Sequence, residues 1–219
     1  MALIQLSQVE KSFGPTKVLR GINLEVNAHE SLAIRGASGS GKSTLLYLLG
    51  GLDRPTSGKV LLEGKNLSTF TDDELANFRN AHVGFVFQFH FLLPSMSCLD
   101  NILLPARIGG KSLEQVKKQA TQLAETLGVS HCLQKFPFEI SGGEQQRVNI
   151  IRALSLRPKI LLCDEPTGNL DSKNTEKVAN LLKNLAVEYG ATLLVVTHDD
   201  RVASHFHRKI VIEDGQIIS

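Results

Sequence analysis

The run Gly36-Ala37-Ser38-Gly39-Ser40-Gly41-Lys42-Ser43 limits what this chain can fold into more than any other stretch. It follows a short apolar segment, Ser31 to Ile34, and precedes a leucine-dense one, Thr44 to Leu49. The pattern predicts a strand, a tight loop and a buried helix beginning near Lys42. The run fits G-x-x-x-x-G-K-[ST] without a mismatch. Its glycines let backbone N–H groups close around phosphate oxygens that a Cβ would obstruct, and the helix N-terminus turns its positive end toward the same anion. A plain Gly/Ser turn is the bland alternative, and the place between a predicted strand and a predicted helix argues against it. Lys42 would neutralise β- and γ-phosphate charge, and the Ser43 hydroxyl would hold Mg²⁺. Gly36, Ala37, Ser38, Gly39, Ser40, Gly41, Lys42, Ser43 and Thr44 are therefore candidate nucleotide-binding residues.

The rest of the chain supplies a setting for such a loop. Ile22, Leu24 and Val26 alternate with Asn23 and Glu25, the period of a half-buried strand. Lys59 to Leu62, Val83 to Gln88, Ile160 to Cys163 and Leu193 to Thr197 are further predicted strands, and Thr175 to Val187 a helix. From about Thr71 to Arg157 the character becomes helical. Thr71-x-x-Glu74 and Ser112-x-x-Gln115 look like capping boxes, and Gln115 to Leu127 separates charge from Leu, Val and Ala. Lys209 to Ile212 and Gln216 to Ile218 flank Asp214-Gly215, a hairpin signal. Strands alternating with helices imply an α/β fold with a mainly parallel sheet covered on both faces.

Ile160-Leu161-Leu162-Cys163 runs straight into Asp164-Glu165. A strand buried on both faces avoids carboxylates, and the tip of a parallel strand is where α/β sheets bind substrates. Asp164 can orient a magnesium shell, and Glu165 can take a proton from an attacking water. Alone, such a pair is often just a solvated strand end; beside a phosphate cradle it gains weight. His198 ends another apolar run, and although a histidine at a strand end is usually structural, here the same sheet edge would carry the γ-phosphate.

Net charge is only +2, so no strong field draws the chain to nucleic acid or anionic lipid. Cys98, Cys132 and Cys163 form no C-x-x-C pair, and so sparse a set suits a reducing compartment better than a disulfide framework or a zinc site. Met1 to Gly14 lacks the basic start and apolar core of a signal peptide, and no run approaches the roughly 18 apolar residues that cross a bilayer. A cytoplasmic chain that meets a membrane only through a partner is expected.

A second anion site is written in Ile140-Ser141-Gly142-Gly143-Glu144-Gln145-Gln146-Arg147. Ser141 and Glu144 make a capping box, and two glycines expose backbone donors at a helix N-terminus. This segment resembles the signature motif of the ABC ATPases, usually Leu-Ser-Gly-Gly-Gln, with Ile140 and Glu144 as departures. The first is a conservative apolar swap; the second adds charge but keeps the capping geometry. Other elements of that family follow in order over nearly the whole chain. Phe13 stands where an aromatic stacks on adenine, Gln88 at the Q-loop position near Mg²⁺, Gly168-Asn169-Leu170-Asp171 at the D-loop, and His198 at the switch position. The resemblance implies a P-loop NTPase core of residues 1–88 and 158–219 with an antiparallel β subdomain. It also implies an inserted α-helical subdomain at about 89–157. ATP and Mg²⁺ would be bound in a homodimer, where Ser141, Gly142, Gly143 and Glu144 of one copy cover the nucleotide held by the other. Asp171 would join the nucleotide-binding set, with Lys42, Glu165 and His198 as catalytic residues and Ser43, Gln88 and Asp164 around the metal.

Gly84-Phe85-Val86-Phe87-Gln88-Phe89-His90 followed by Leu92-Leu93-Pro94 resembles one branch of that family. The branch contains lipoprotein-releasing, drug-exporting and cell-division ATPases, which drive a periplasmic domain through a short transmembrane bundle. The segment is most similar to the lipoprotein-releasing members, which implies integral membrane partners of the LolC/LolE kind at the cytoplasmic face of the inner membrane. Phe89 to Pro94 is either subdomain core or a surface for such a partner. An ABC ATPase of DNA repair or translation would carry a coiled-coil insertion or two cassettes. Neither is present, and no basic patch suggests nucleic acid. A regulator that does not hydrolyse ATP would have no use for both Glu165 and His198.

Overall fold

The computed structural model describes residues 2–168 and 172–218; Asp171, the predicted D-loop residue, lies outside the described residues. Two sheets organise the chain. The larger is built on β3 (Ser31–Arg35), β6 (Val83–Val86), β7 (Ile160–Asp164), β8 (Thr192–Val196), β9 (Arg208–Glu213) and β10 (Gln216–Ile217), in the order β10-β9-β3-β8-β7-β6. All neighbours are parallel except β10, which turns back antiparallel on β9 through Asp214 and Gly215, both at positive φ (47° and 77°). That is the conformation an Asp-Gly hairpin turn requires.

The central strands are apolar without interruption because both faces are covered. On β7, Ile160 and Leu162 enter one core while Leu161 and Cys163 enter the other; on β8, Leu194 and Val196 divide from Leu193 and Val195 in the same way. Each fully buried Leu or Ile of this kind contributes about 1.5–3 kcal/mol. One core packs the sheet against α1 (Lys42–Leu49) and the second sheet. The latter is antiparallel, with β1 (Ala2–Phe13), β2 (Thr16–Asn27), β4 (Ser57–Leu62) and β5 (Lys65–Asn66) in the order β2-β1-β4-β5. Ile22, Leu24 and Val26 point into it as their alternation predicts.

Between β5 and β6 lies α2 (Asp72–His82), opened by a complete Thr71–Glu74 capping box. Between β6 and β7 come α3 (Cys98–Ile108), α4 (Leu113–Thr126) and α5 (Gly142–Leu154), which contribute to the other core. Asn101 fixes the segment before α3: it is fully buried, accepts from Leu93 N at 2.7 Å and donates to Leu93 O at 3.0 Å. Then α6 (Ser172–Tyr189) and α7 (Asp200–Ser204) complete the alternation.

Some boundaries differ from the sequence-based expectation. The strand expected over Val83 to Gln88 ends at Val86, so Gln88 stands in the loop beyond it. At α4 only half of the expected capping box forms, Gln115 N donating to Ser112 Oγ at 3.4 Å. No helix among the described residues is long and apolar enough to cross a membrane.

Candidate active site

Because β3, β7 and β8 are parallel neighbours, their C-terminal ends share one edge. From β3 the chain enters the glycine loop, from β7 it reaches Asp164 and Glu165, and from β8 it reaches His198. At its two ends the loop runs close against β9 and β2, leaving no room for a side chain at Gly36 or Gly41. A Cβ on Gly36 would lie 2.2 Å from Ile212 O; on Gly41, which caps α1 at φ 103°, it would lie 2.8 Å from Leu19 Cδ2.

Lys42 is buried, and its Nζ donates to Gly36 O at 2.9 Å and Ala37 O at 2.7 Å. Both acceptors are neutral carbonyls, which leave the ammonium charge to be matched by an anion. Ser40 Oγ is buried in the same loop and has no hydrogen-bond partner in the chain. An orphaned hydroxyl costs about 1–3 kcal/mol, a cost that a polar ligand held in the loop would offset.

Asp164 is buried at the tip of β7 and receives two hydroxyls from α1: Ser43 Oγ at 2.9 Å on Oδ1, and Tyr47 OH at 3.1 Å on Oδ2. Ser43 and Tyr47 are four residues apart and so share a helix face. Burial, and then the Asp164 charge, pushes the Tyr47 phenol up to about 12. A hydroxyl and a carboxylate side by side, all oxygen, form a donor set that fits a hard divalent cation such as Mg²⁺.

Glu165 leaves the strand line with φ 45°, unusual for a residue with a side chain. The turn is pinned by Glu165 N donating to Val196 O at 3.0 Å and Gly168 N donating to Glu165 O at 3.0 Å. Its carboxylate Oε1 lies 2.8 Å from His198 Nδ1. Glu165 is largely shielded, with a side chain 15% exposed, whereas His198 is open at 68%. A carboxylate held by an imidazole at the mouth of a phosphate loop can accept a proton from water there. Gln88 reaches the same turn: a Cβ on Gly168 would sit 2.8 Å from Gln88 Nε2. Phe13, at the end of β1, is half-exposed with Lys11 Nζ 4.8 Å from its ring centroid.

The second glycine motif opens α5 with a complete capping box. Ser141 N and Oγ donate to Glu144 Oε2 at 2.8 and 2.6 Å, and Glu144 N donates to Ser141 Oγ at 3.4 Å. A Cβ on Gly142 would meet nothing within 4 Å, and one on Gly143 only Arg147 Nη1 at 3.8 Å. The Ser141 hydroxyl and amide, with His131, hold the Glu144 carboxyl down at about 2.

Two participants escape the sequence-based expectation. Tyr47 is hidden in a leucine-rich helix, where only its spacing from Ser43 hints at a polar task. Gln146 carries no motif signature of its own, yet it is buried and donates from Nε2 to Pro166 O at 2.8 Å, tying α5 to the turn that bears Glu165.

Residues 19–168 match the family model described as ABC transporter. The lipoprotein-releasing system ATP-binding protein LolD of Cytophaga hutchinsonii is 43% identical over 99% of both chains, and that of Geobacter metallireducens 45% identical over 100% of this chain and 99% of its own. Among solved structures, the dimeric ABC transporter cassette MJ0796 superposes with a TM-score of 0.90 at 40% identity, covering 99% of this chain and 97% of that one. The same cassette in a post-hydrolysis state bound to ADP and Pi gives 0.88 at 38% identity over the same shares. With the phosphate loop, strand-tip acids and capped glycine helix in place, the chain belongs to the ABC transporter family as its ATPase subunit, similar over its whole length to the LolD proteins.

Proposed function

We propose that this chain powers the release of lipoproteins from the inner membrane, as a homodimer that sandwiches two ATP molecules and works on membrane subunits of the LolC/LolE kind. The observation that carries the hydrolytic part is the pair of contacts at the tip of β7: Asp164 to Ser43 at 2.9 Å and Glu165 to His198 at 2.8 Å. They support a metal-orienting role for Asp164 and a proton-accepting role for Glu165 beside one phosphate loop.

In this proposal Gly36 to Thr44 wrap the ATP phosphates, Lys42 turns its ammonium from the loop carbonyls to the β- and γ-phosphates, and Phe13 stacks on the base. Ser43, Asp164 and Gln88 would hold Mg²⁺, which supplies neutralisation of the charge that builds on the transferred phosphoryl group. Glu165 takes a proton from the attacking water, and His198 keeps that carboxylate aimed. Ser141, Gly142, Gly143 and Glu144 close over the nucleotide of the second copy, with Asp171 at the same junction. Positioning and charge stabilisation do the work, since phosphoryl transfer leaves little covalent chemistry to the protein.

The proposed division follows the chain: residues 1–88 and 158–219 form the catalytic core, and about 89–157 the helical subdomain. Two contacts support mechanical linkage between the two: on α5, Asn149 donates to Phe87 O at 3.4 Å and Gln146 to Pro166 O at 2.8 Å. Within the helical part, Arg152 ties α5 to His90 O at 2.6 Å and Phe91 O at 2.8 Å. Leu92 packs on the core, while Phe89 and Phe91 are each 63% exposed, so the segment after Gln88 serves both as packing and as an apolar surface for the membrane partner. Its similarity in full length to lipoprotein-releasing ATPases favours that cargo over drug export or cell division.

The test is co-purification of Glu165→Gln from native membranes with Mg-ATP. A partner with few transmembrane helices and a large periplasmic domain, and lipoprotein release by the wild-type assembly in vesicles, is the expected result. A partner with many transmembrane helices overturns the assignment to this branch.

A further inference from the structure

The cysteine spacing gives no hint of a metal, yet folding brings three different ligand types together beside the second glycine motif. His131 and Cys132 lie in a 3-10 turn (Ser130–Cys132) that follows α4, and Glu144 in the first turn of α5. A ring nitrogen of His131, Cys132 Sγ and a Glu144 carboxylate oxygen all lie within 4.8 Å of one another, a clustering of such ligands found once among the described residues. The cluster is already polar: His131 Nε2 is 2.7 Å from Glu144 Oε1, and Cys132 Sγ lies within 4.8 Å of the ligand atoms of both.

We propose that His131, Cys132 and Glu144 form a binding site for one borderline divalent transition-metal ion of the Zn²⁺ class. Imidazole, thiolate and carboxylate are the donors that Zn²⁺ takes at about 2.0–2.3 Å, and three protein ligands leave a fourth position for water. The set is wrong for Mg²⁺, which prefers oxygen alone, so this site is chemically distinct from the one at Ser43 and Asp164. Its division of labour is written in the carboxylate. Oε2 stays with Ser141, whose amide and hydroxyl donate to it, while Oε1 faces His131 and is the oxygen a metal would take. Ser141 thus acts as the outer partner that orients the ligand.

Access is one-sided. Cys132 is buried, whereas the His131 side chain is 57% exposed, so the ion enters from the histidine side and the imidazole swings to open the 2.7 Å contact. On binding, the Cys132 S–H bond breaks, its proton passes to solvent, and the sulfur pair forms the metal bond; His131 must be neutral to donate its Nε2 pair. Occupancy would cancel the Glu144 charge at the N-terminus of α5, next to the donors that meet a nucleotide.

Co²⁺ is the probe, because thiolate ligation is read directly from its charge-transfer band and tetrahedral geometry from its visible d–d bands. Titration of the full chain without nucleotide should give both at one equivalent, and Zn²⁺ should displace them. Cys132→Ser should abolish the charge-transfer band, and Cys98→Ser should retain it. His131→Ala, a change at an exposed position that leaves the core alone, should weaken binding by roughly tenfold or more, the scale on which loss of even an outer partner is felt. A charge-transfer band that fails to appear, that survives Cys132→Ser, or that is unmoved by His131→Ala overturns the site.

Discussion

Gln146, on the first turns of α5, donates its side-chain amide to the carbonyl of Pro166 at 2.8 Å, one residue beyond Glu165. Both ends of this bond lie beside residues of the proposed site: five residues back is Ser141, and one residue back is the proposed base. The bond is buried, so it is not exchanged with water, and a shift of α5 must move the turn that carries Glu165 or break the contact. Replacing Gln146 by Ala leaves the Pro166 carbonyl unsatisfied. A loss of about 1–3 kcal/mol in urea unfolding is expected. Turnover should fall severalfold while nucleotide affinity of the monomer stays the same. Equal loss of both would mean that Gln146 is merely part of the core.

Glu165→Gln keeps the shape of the turn and the contact with His198 but removes the proton acceptor. Steady-state ATP hydrolysis should fall by roughly 10²- to 10⁴-fold, the usual worth of a positioned general base. Mg-ATP binding should survive, and size-exclusion chromatography with Mg-ATP should show a dimer that does not decay. Turnover at the wild-type rate would remove Glu165 from the mechanism.

Ser141→Arg tests whether the α5 N-terminus acts on a second copy. The substitution removes an N-cap, costing about 1 kcal/mol, and places a bulky cation where the partner's nucleotide would dock. Turnover should be lost while fluorescent ATP still binds the monomer with unchanged affinity. Loss of monomer binding would show that Ser141 serves its own chain's nucleotide instead.

The Glu144 carboxyl gives a prediction in pH. Hydrogen bonds from the Ser141 hydroxyl and amide, and then His131, lower it from 4.5 to about 2 in the folded chain. A depressed carboxyl stabilises the fold fully above its unfolded value and loses that contribution as pH falls through the folded one. The loss should therefore fall between about pH 4.5 and pH 2. Ser141→Ala should move the Glu144 carboxyl resonance in a ¹³C titration upward toward the ordinary range. A wild-type resonance that titrates near 4.5 would show that the capping box is open in solution.

How much of this was legible beforehand depends on how local the signal was. Gly36 to Ser43, the β7 acids and the α5 cap are contiguous, so spacing alone carries their chemistry, and the Asp214-Gly215 turn was readable for the same reason. An unbroken apolar run from Val83 to Phe87 places Gln88 at a strand end; only the pairing with β7, whose last partner on β6 is Val86, shows where the strand finishes. β1 shows no clean alternation, since its buried residues break step at Ser7 and Gln8, where the register with β2 shifts. Tyr47, Gln146 and the His131–Cys132–Glu144 group were invisible because each depends on contacts between segments remote in sequence or on one helix face among many. α3 carries Pro105 inside it, a residue that argues against a helix from sequence alone; its carbonyl accepts both Gly109 N at 3.0 Å and Asn80 Nδ2 at 2.8 Å.

Tyr47 supplies the prediction that most directly reports on Asp164. Its phenol is raised from 10 to about 12 by burial and by the neighbouring carboxylate. The folded chain therefore holds the phenolic proton more tightly than the unfolded one, and stability from this group should fall as pH rises from about 10 to about 12. Tyr47→Phe removes that dependence and one of the two hydroxyls on Asp164, at a cost of about 0.5–1.5 kcal/mol at neutral pH. Ser43 still donates to Oδ1, so the carboxylate keeps its place, and turnover should change by less than about tenfold. The apparent Mg²⁺ requirement should nevertheless shift, because Oδ2 loses its donor and becomes a freer ligand. Ultraviolet titration of the phenols in wild type and Tyr47→Phe isolates this group by difference. A difference curve centred near 10 would show that Tyr47 is not held against Asp164, and the hydroxyl contacts from α1 to Asp164 would then rest on Ser43 alone.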